Sequence, residues 1–364
     1  MNQKQDENTE SLGTFILTIG IIFVLVLVFK SSILDANNIP TGSMIPTLKI
    51  GDYLFVNRMR FSFRIPFVNI ELFRIDDPRR GDIITFIPPP PHQPDRHFVK
   101  RVIGMPGDRI RIRNFPACMF KDPEFSLHLE GTSESDRMNN PFCRNVELGE
   151  QVNYAFVEYK INDAGPWINN NPKQLPLEKS LELLEDADNA GVLAERYFPE
   201  GDRRGFSPRV FTETIDGKTF YTVESRSEER NSRALCSEIE NSGCMIPQDN
   251  YLVMGDNRDD SKDSRYIGYI DRNNILGKAV IIYFSINWYD GICEGYFNYF
   301  LAGSGSPDKG FLLPDFSPDK QARKCSDSDG MIASESRFDY LVRTIQYRIP
   351  RLDVRWSRVG NILE

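Results

Sequence analysis

The sequence predicts a mainly β protein, in which an antiparallel β-sheet core carries inserted α+β segments and follows one N-terminal transmembrane helix. Short β-branched and aromatic runs closed by Gly, Pro or Asp recur along the 364 residues, and this pattern is typical of antiparallel sheets. A single uncharged apolar segment precedes them. One polar stretch interrupts the strand pattern and contains leucines at helical spacing.

The apolar segment covers residues 12–29 and contains no charged side chain. At about 1.5 Å per residue, a helix of these 18 residues is roughly 27 Å long, just enough to cross a hydrocarbon core. A cleaved secretory signal is the alternative, but such signals have a basic start and a shorter apolar core. The residues before the segment contain one basic residue, Lys4, and three acidic ones, Asp6, Glu7 and Glu10. Because this start is not basic, we favour an uncleaved anchor, with the remaining chain on one side of the membrane.

The predicted strands follow the anchor at short intervals. They lie at residues 53–56, 82–87, 98–103, 108–112, 251–254, 279–284 and 352–356. Their spacing and frequent turns favour an antiparallel sheet or barrel over βαβ units. Asp216-Gly217, between runs 212–215 and 219–223, is typical of a two-residue hairpin turn. Segment 61–67 alternates apolar and polar residues, which indicates either a strand face on the core or an aromatic rim at the lipid headgroups.

Two regions are predicted to be insertions on the sheet core. Residues 114–243 are polar and include the helical leucine spacing of 177–197, which begins directly after Pro176. Residues 290–337 are rich in Gly, Ser and Asp. The predicted divisions are a cytoplasmic tail with the anchor, a first core part, the first insertion, a second core part, the second insertion and the C-terminal core strands: 1–30, 31–113, 114–243, 244–289, 290–337 and 338–364.

Charge and cysteine content narrow the class of protein. The net charge is −8, from 44 basic and 52 acidic residues, which argues against a nucleic-acid partner. The six cysteines all follow the anchor, and an even number is compatible with disulfides in an exported domain. Pairing sequence neighbours gives one of several open connectivities: Cys118–Cys143, Cys236–Cys244 and Cys293–Cys325. No cysteine has metal-type spacing, so we expect no metal.

A serine lies in a short loop bounded by Gly and Pro, because residues 40–48 read Pro-Thr-Gly-Ser-Met-Ile-Pro-Thr-Leu. A serine hydroxyl is a weak nucleophile until a base takes its proton. The histidines are His92, His97 and His128, and neither of the first two has an acidic residue in an obvious orienting position. A Ser-His-Asp triad stays open, since triads are recognised by geometry rather than sequence order.

Lysine is the alternative base. Lys100 lies in the apolar strand 98–103 on the same face as Phe98 and Val102, and burial there would favour its uncharged amine. The polar loop 255–265 follows the strand 251–254 and contains a serine that could hold that amine. Taken singly, a lysine in a strand is usually solvated, and a charged loop is usually a surface turn.

Together these segments resemble bacterial type I signal peptidases, the membrane-anchored Ser/Lys endopeptidases. The insertions match this family weakly. The segments similar to its sequence boxes are 40–48 for the nucleophile, 51–57, 80–86, 100–108 for the base and 255–265, while 356–360 resembles its C-terminal strand.

The resemblance implies roles for individual residues. Ser43 would be the nucleophile and Lys100 the general base, with Ser261 orienting the lysine amine. The oxyanion hole would use the Ser43 backbone N–H and the hydroxyl of Thr41, a position often occupied by serine in the family. The residues implied to form an ion-paired scaffold are Arg101, Asp256, Asp263 and Arg265. Those implied to line shallow apolar substrate pockets, or else to be core side chains, are Ile39, Pro40, Met44, Leu48, Phe98 and Val99.

The implied substrate is a translocated preprotein, bound as an added strand and cut after a small-x-small motif at the end of its signal peptide. The implied partners are preprotein signal peptides and membrane lipid, with a secretion translocon left open and no cofactor. The implied location is the bacterial inner (plasma) membrane, single-pass, with residues 31–364 on the outer (periplasmic) face. The alternatives are a plasmid-transfer type of Ser/Lys processing peptidase and a non-catalytic exported scaffold protein.

Overall fold

The computed structural model describes residues 12–65, 70–91, 97–116, 153–185, 209–224, 235–236, 242–258, 261–287, 345 and 353–363. Within them, the strands are β1 Leu34–Asn38, β2 Asp52–Asn57, β3 Ser62–Arg64, β4 Glu71–Arg74, β5 Ile83–Phe86, β6 Phe98–Gly104, β7 Arg109–Pro116, β8 Asn153–Lys160, β9 Ile168–Asn169, β10 Lys173–Gln174, β11 Arg209–Ile215, β12 Lys218–Glu224, β13 Cys244–Met245, β14 Asn250–Met254, β15 Ile270–Asp271, β16 Ile275–Asn287 and β17 Asp353–Val354. The α-helices are α1 Leu12–Ser32, α2 Leu177–Glu185 and α3 Ser264–Ile267. Short 3₁₀ turns are Arg58–Arg60, Ile161–Asp163, Arg272–Asn274 and Trp356–Arg358.

The described strands form antiparallel sheets, as the sequence predicts. The largest has the order β1-β2-β16-β5-β6-β14-β15, with β17 also paired to β16. The smaller sheets are β13-β7-β8-β9, β10-β11-β12 and β3-β4. Strand β6 lies between β5 and β14, with Lys100 opposite Ile84 and Arg101 opposite Ile83 and Met254. Backbone hydrogen bonds on both sides therefore fix the position of β6.

The predicted hairpin at Asp216-Gly217 is confirmed. Strands β11 and β12 pair in register from Arg209 opposite Glu224 to Ile215 opposite Lys218. The two turn residues have positive φ angles of 47° and 79°, which is the conformation that a tight two-residue hairpin turn requires. This hairpin joins β10 in a three-stranded sheet.

The N-terminal segment forms α1. Among the described residues, no helix meets the combined length and hydropathy needed to cross a bilayer, so the predicted transmembrane helix is not confirmed.

Two predicted elements lie partly outside the described residues. The described part of the helix expected at 177–197 is α2 Leu177–Glu185, and residues 186–197 lie outside the described part. The strand expected at 352–356 is present as β17 Asp353–Val354, after which the chain enters the 3₁₀ turn Trp356–Arg358. This turn lets the Arg358 guanidinium reach the fully buried Asp52 carboxylate, and a buried carboxylate needs such a partner.

Segment 61–67 includes one core residue, as the first interpretation predicts, and one more accessible aromatic ring. Phe61 is fully buried, whereas Phe63 is half-buried and stacks on the exposed Phe73 ring of β4 with centroids 5.2 Å apart. Residues 66–67 lie outside the described part.

The predicted Cys236–Cys244 disulfide is confirmed. The other four cysteines, and all of the predicted insertion at 290–337, lie outside the described part.

Candidate active site

Ser43 and Lys100 meet in the structure. The Lys100 amine donates a hydrogen bond of 2.6 Å to the Ser43 hydroxyl and one of 3.0 Å to the Val99 carbonyl. Lys100 is only 4% exposed, although it carries an ionisable group. Its Nζ lies 5.7 Å from the centre of the Phe98 ring. A buried amine beside a serine hydroxyl is the arrangement in which lysine can accept that hydroxyl's proton.

The loop that carries Ser43 is fixed by its own turns and by the core beneath it. The Ile45 N–H donates to the Gly42 carbonyl at 3.1 Å, and the Leu48 N–H donates to the Met44 carbonyl at 2.9 Å. Ile39, Met44 and Leu48 are buried in one apolar cluster with residues of β2, β5 and β16. These three buried side chains thus fix the loop to the core, while Ser43 stays partly accessible.

The predicted pocket residues therefore fall into two groups. Ile39, Met44 and Leu48 are core side chains, each no more than 4% exposed. Pro40 is exposed, and Phe98 and Val99 are half-buried, so these three leave surface that a bound peptide could contact.

Arg101, the residue after Lys100, forms a buried ion pair with Asp256. Two parallel hydrogen bonds of 2.8 and 2.7 Å join the guanidinium to the carboxylate, and the side chains are 2% and 1% exposed. Arg101 also donates to the Gly81 carbonyl at 2.9 Å, and the Thr47 hydroxyl donates to Asp256. The pair therefore links the lysine strand, the loop of Ser43 and the polar loop 255–265.

Asp263 and Arg265 form the second predicted pair. The guanidinium donates to the two carboxylate oxygens at 2.8 and 2.7 Å, and the Gly255 N–H donates to the same carboxylate at 2.9 Å. Burial alone would raise the pKa of Asp263, but the charge and hydrogen bonds of Arg265 hold it below its usual value. Arg265 also donates to the Arg258 carbonyl at 2.7 Å, so the pair closes the polar loop on itself.

Ser261 and Thr41 lie near Ser43, but their roles rest on position rather than on a hydrogen bond to Ser43 or Lys100. Ser261 is 5% exposed, and its hydroxyl is close enough to the Asp263 carboxylate to contribute to the lowered pKa of that group. A Cβ on Gly255 would lie 2.2 Å from this Oγ and 2.4 Å from the Ser43 carbonyl oxygen. Ser261 therefore lies beside the serine loop, although the described contacts include no hydrogen bond from its hydroxyl to Lys100. Thr41 is exposed at the rim of that loop.

Asn257 contacts the serine loop, although no sequence pattern assigns a role to this residue. Its backbone N–H donates to the Ser43 carbonyl at 3.2 Å, and its side-chain amide donates to the Gly42 carbonyl at 3.2 Å. Both bonds hold the backbone of the serine loop. The available signal was its place between Asp256 and Arg258, where one uncharged polar residue interrupts charged neighbours.

Arg358 is a second such residue. It pairs with Asp52 and donates to the Thr47 carbonyl at 2.9 Å, so a residue near the C-terminus fixes the end of the serine loop. The sequence of this segment predicts only a strand.

The histidines contribute no described contact to Ser43. His97 is exposed, and His92 and His128 lie outside the described part. Among the described residues, no group of three or more His, Cys, Asp or Glu side chains is placed to hold a metal ion.

The sequence is similar to known signal peptidases. The family model for "Signal peptidase, peptidase S26" matches residues 12–284. Signal peptidase I of Buchnera aphidicola (subsp. Baizongia pistaciae) is 27% identical over 72% of this chain and 73% of its own length. Signal peptidase I of Aquifex aeolicus is 28% identical over 74% of this chain and 83% of its own length.

A crystal structure of a signal peptidase I from Enterococcus faecalis is similar over 56% of this chain and 97% of that chain, at 18% identity. Its TM-score of 0.22 is too low to bear on the fold. The family match covers most of the chain and includes both the serine loop and the polar loop. The chain therefore belongs to the signal peptidase family, peptidase S26, and is a hydrolase of that family.

Proposed function

We propose that this chain is a membrane-attached serine endopeptidase that removes signal peptides from translocated preproteins through a Ser43–Lys100 dyad. The observation that carries the proposal is the 2.6 Å hydrogen bond between the Lys100 amine and the Ser43 hydroxyl at a nearly buried position. The names of the relatives support the substrate class.

The first half of the reaction forms an acyl-enzyme. Burial favours an uncharged Lys100 amine, which accepts the Ser43 proton as Oγ attacks the scissile carbonyl carbon. The carbonyl π electrons move to its oxygen, which the Ser43 backbone N–H and the Thr41 hydroxyl would stabilise. The tetrahedral intermediate then expels the leaving amine, which takes the proton from the Lys100 ammonium.

The second half releases the signal peptide. A water molecule enters, gives a proton to the Lys100 amine and attacks the ester carbonyl carbon. When this second intermediate collapses, the Ser43 oxygen leaves and takes the proton back from Lys100. The products are a signal peptide with a new carboxyl end and a mature protein with a new amino end.

The accessible residues around the dyad support an extended peptide substrate. Val99 and Phe98 lie at the start of β6, next to Lys100, and are not fully buried. Strand β5 pairs with residues 98–101 of β6, but β14 pairs only from Arg101 onward. A peptide aligned beside residues 98–100 on the β14 side would form main-chain hydrogen bonds and present small side chains to Pro40, Phe98 and Val99.

Attachment to a membrane through the N-terminal segment is part of the proposal. The described side chains of α1 include large exposed apolar groups such as Phe15, Ile16 and Phe23, each more than half exposed. Burial of such groups in lipid is favourable. The single-pass anchor, with residues 31–364 on the outer (periplasmic) face of a bacterial inner membrane, remains our prediction.

The decisive experiment incubates the purified chain in detergent with a preprotein whose signal peptide ends in Ala-x-Ala. We expect cleavage by the wild type and none by Ser43→Ala, Lys100→Met or Lys100→Arg, because a guanidinium does not give up its proton. Ser357→Ala and Lys173→Arg are matched controls at exposed positions and should cleave like the wild type.

Two outcomes would refute the proposal. Undiminished cleavage by Ser43→Ala or Lys100→Arg would remove the dyad. A folded wild-type chain that leaves the preprotein intact would favour a processing peptidase of the plasmid-transfer type or an exported scaffold protein. Membrane attachment is tested separately, because removal of residues 1–30 should release the protein from vesicles.

A further inference from the structure

The segment 256–258 is held on two sides. On one side, Asn257 donates to the Ser43 and Gly42 carbonyls. On the other, the Val223 N–H of β12 donates to the Asp256 carbonyl at 2.9 Å, and the Arg258 N–H donates to the Val223 carbonyl at 2.9 Å. These bonds make a parallel bridge between Val223 and Asn257. The β11–β12 hairpin therefore touches the backbone that supports the nucleophile.

A buried carboxylate of the same hairpin faces this segment. Glu213 on β11 is 0% exposed, and its Oε1 lies 2.9 Å from Arg258 Nη2, which is also 0% exposed. Thr222 donates a hydrogen bond of 2.9 Å to Oε1, and Asn170 donates one of 2.8 Å to Oε2. Two neutral donors and one guanidinium thus fix the orientation of the carboxylate, which is the condition for a buried charge to be tolerated.

Apolar packing joins the hairpin to the site in two further places. Ile45, two residues after Ser43, is buried in one cluster with Leu184, Val210 and Val223. The Arg101 guanidinium carbon lies 4.2 Å from the centre of the Phe220 ring of β12. The β11–β12 hairpin is therefore in contact with the serine loop, with strand β6, which carries Lys100, and with segment 256–258.

We propose that Glu213 is a positioning residue for Ser43, acting through Arg258 and Asn257 from within a region that the sequence identifies only as an insertion. The inference rests on the proposed function. The Glu213 carboxylate compensates the charge of Arg258 and so fixes the backbone of 256–258. Asn257 in turn holds the Ser43 carbonyl, which sets the distance and direction of Oγ toward Lys100.

The expected effect is on the chemical step rather than on substrate binding. Misplacement of a catalytic group by about 1 Å can cost on the order of 100-fold in rate. We therefore expect Glu213→Gln to lower kcat by about 10- to 100-fold. KM should change less than about twofold, because the buried Glu213 side chain cannot contact a bound peptide. Thr214→Ala is the matched control, since Thr214 lies next to Glu213 on β11 but is exposed.

The test measures kcat, KM and the thermal midpoint of the full chain with an Ala-x-Ala preprotein, and compares Glu213→Gln, Asn257→Ala and the double variant. If Glu213 acts through Asn257, the double variant loses no more activity than the worse single variant. A kcat of folded Glu213→Gln within about twofold of Thr214→Ala, or losses that multiply in the double variant, would overturn the proposal.

A second substitution covers failure of Glu213→Gln to fold. Thr222→Val removes one hydrogen bond to Glu213 without changing a charge, so we expect a folded protein with kcat lowered about 3- to 10-fold. An unchanged kcat in folded Thr222→Val would also overturn the proposal.

Hydrolysis of a small activated ester by Ser43 provides an assay that does not depend on the natural substrate. A wild type that cleaves the ester but no preprotein would refute the proposed function, while the Glu213 variants could still be ranked by ester hydrolysis.

Discussion

The ion pair between Arg101 and Asp256 allows a quantitative test of what supports the site. Substitution of Arg101 by methionine removes two hydrogen bonds of 2.8 and 2.7 Å from a carboxylate that is 1% exposed. The Thr47 hydroxyl remains as a donor, but it carries no charge. Loss of one partner from a buried ion pair costs about 3–5 kcal/mol, because the remaining charge stays desolvated.

The free energy of unfolding can be measured by urea titration and by thermal melting in detergent. A cost of about 3–5 kcal/mol corresponds to a fall in Tm of roughly 6–20 °C for a folded region of this size. Arg74→Met is the matched control, since Arg74 and its partner Asp249 are 44% and 64% exposed. An exposed pair contributes less than about 1 kcal/mol.

The double variant Arg101→Met/Asp256→Leu completes the test. Because it removes both charges, it should be more stable than Arg101→Met alone. If Arg101→Met is no less stable than Arg74→Met, or if the double variant is as unstable as the single one, the electrostatic explanation is wrong.

Three further predictions concern the polar loop. Gly255→Ala places a methyl group 2.2 Å from Ser261 Oγ and 2.4 Å from the Ser43 carbonyl oxygen, so it should destabilise the protein by about 1–3 kcal/mol and lower kcat. The control Gly20→Ala, which has open space around it, should change neither stability nor kcat. A Gly255→Ala variant with wild-type activity would contradict this prediction. Asn257→Ala loses the bond to the Gly42 carbonyl but keeps its backbone bond to Ser43, so its kcat should fall about fivefold, equivalent to ~1 kcal/mol; an unchanged kcat would refute the role of that side chain. The pKa of Asp263 lies below its usual 3.8, so its stabilisation is complete above that pH and is lost as the pH falls through the lower folded-state value; Asp263→Asn should flatten the acid side of the curve of unfolding free energy against pH, and an unchanged slope would contradict the assignment.

The antiparallel strands and the meeting of Ser43 with Lys100 could be predicted from the sequence. Strands such as β6 and β14 have strong local patterns, because their β-branched residues are bounded by Gly, Pro and Asp. The dyad required the resemblance to a family, since residues 43 and 100 are far apart in sequence and no local pattern joins them.

The contacts of Asn257, Arg358 and Glu213 could not be predicted, and for a common physical reason. Each residue acts through a backbone carbonyl or a buried partner that is distant in the chain, such as the bond from Arg358 to the Thr47 carbonyl. Composition and periodicity report which face a side chain occupies but not which backbone oxygen lies opposite. The short 3₁₀ turn at Trp356–Arg358 was missed similarly, because a tertiary ion pair overrode the local strand preference.

The short connection between α1 and β1 limits how far Ser43 can lie from the end of the helix. Helix α1 ends at Ser32, and β1 begins at Leu34 and is paired along its length with β2. Ser43 is eleven residues beyond the helix end, and even a fully extended tether of that length spans at most roughly 36–40 Å. If α1 is held in lipid, as we propose, a scissile bond must come within about this distance of the bilayer, and sites farther out in the aqueous compartment are beyond the reach of Ser43.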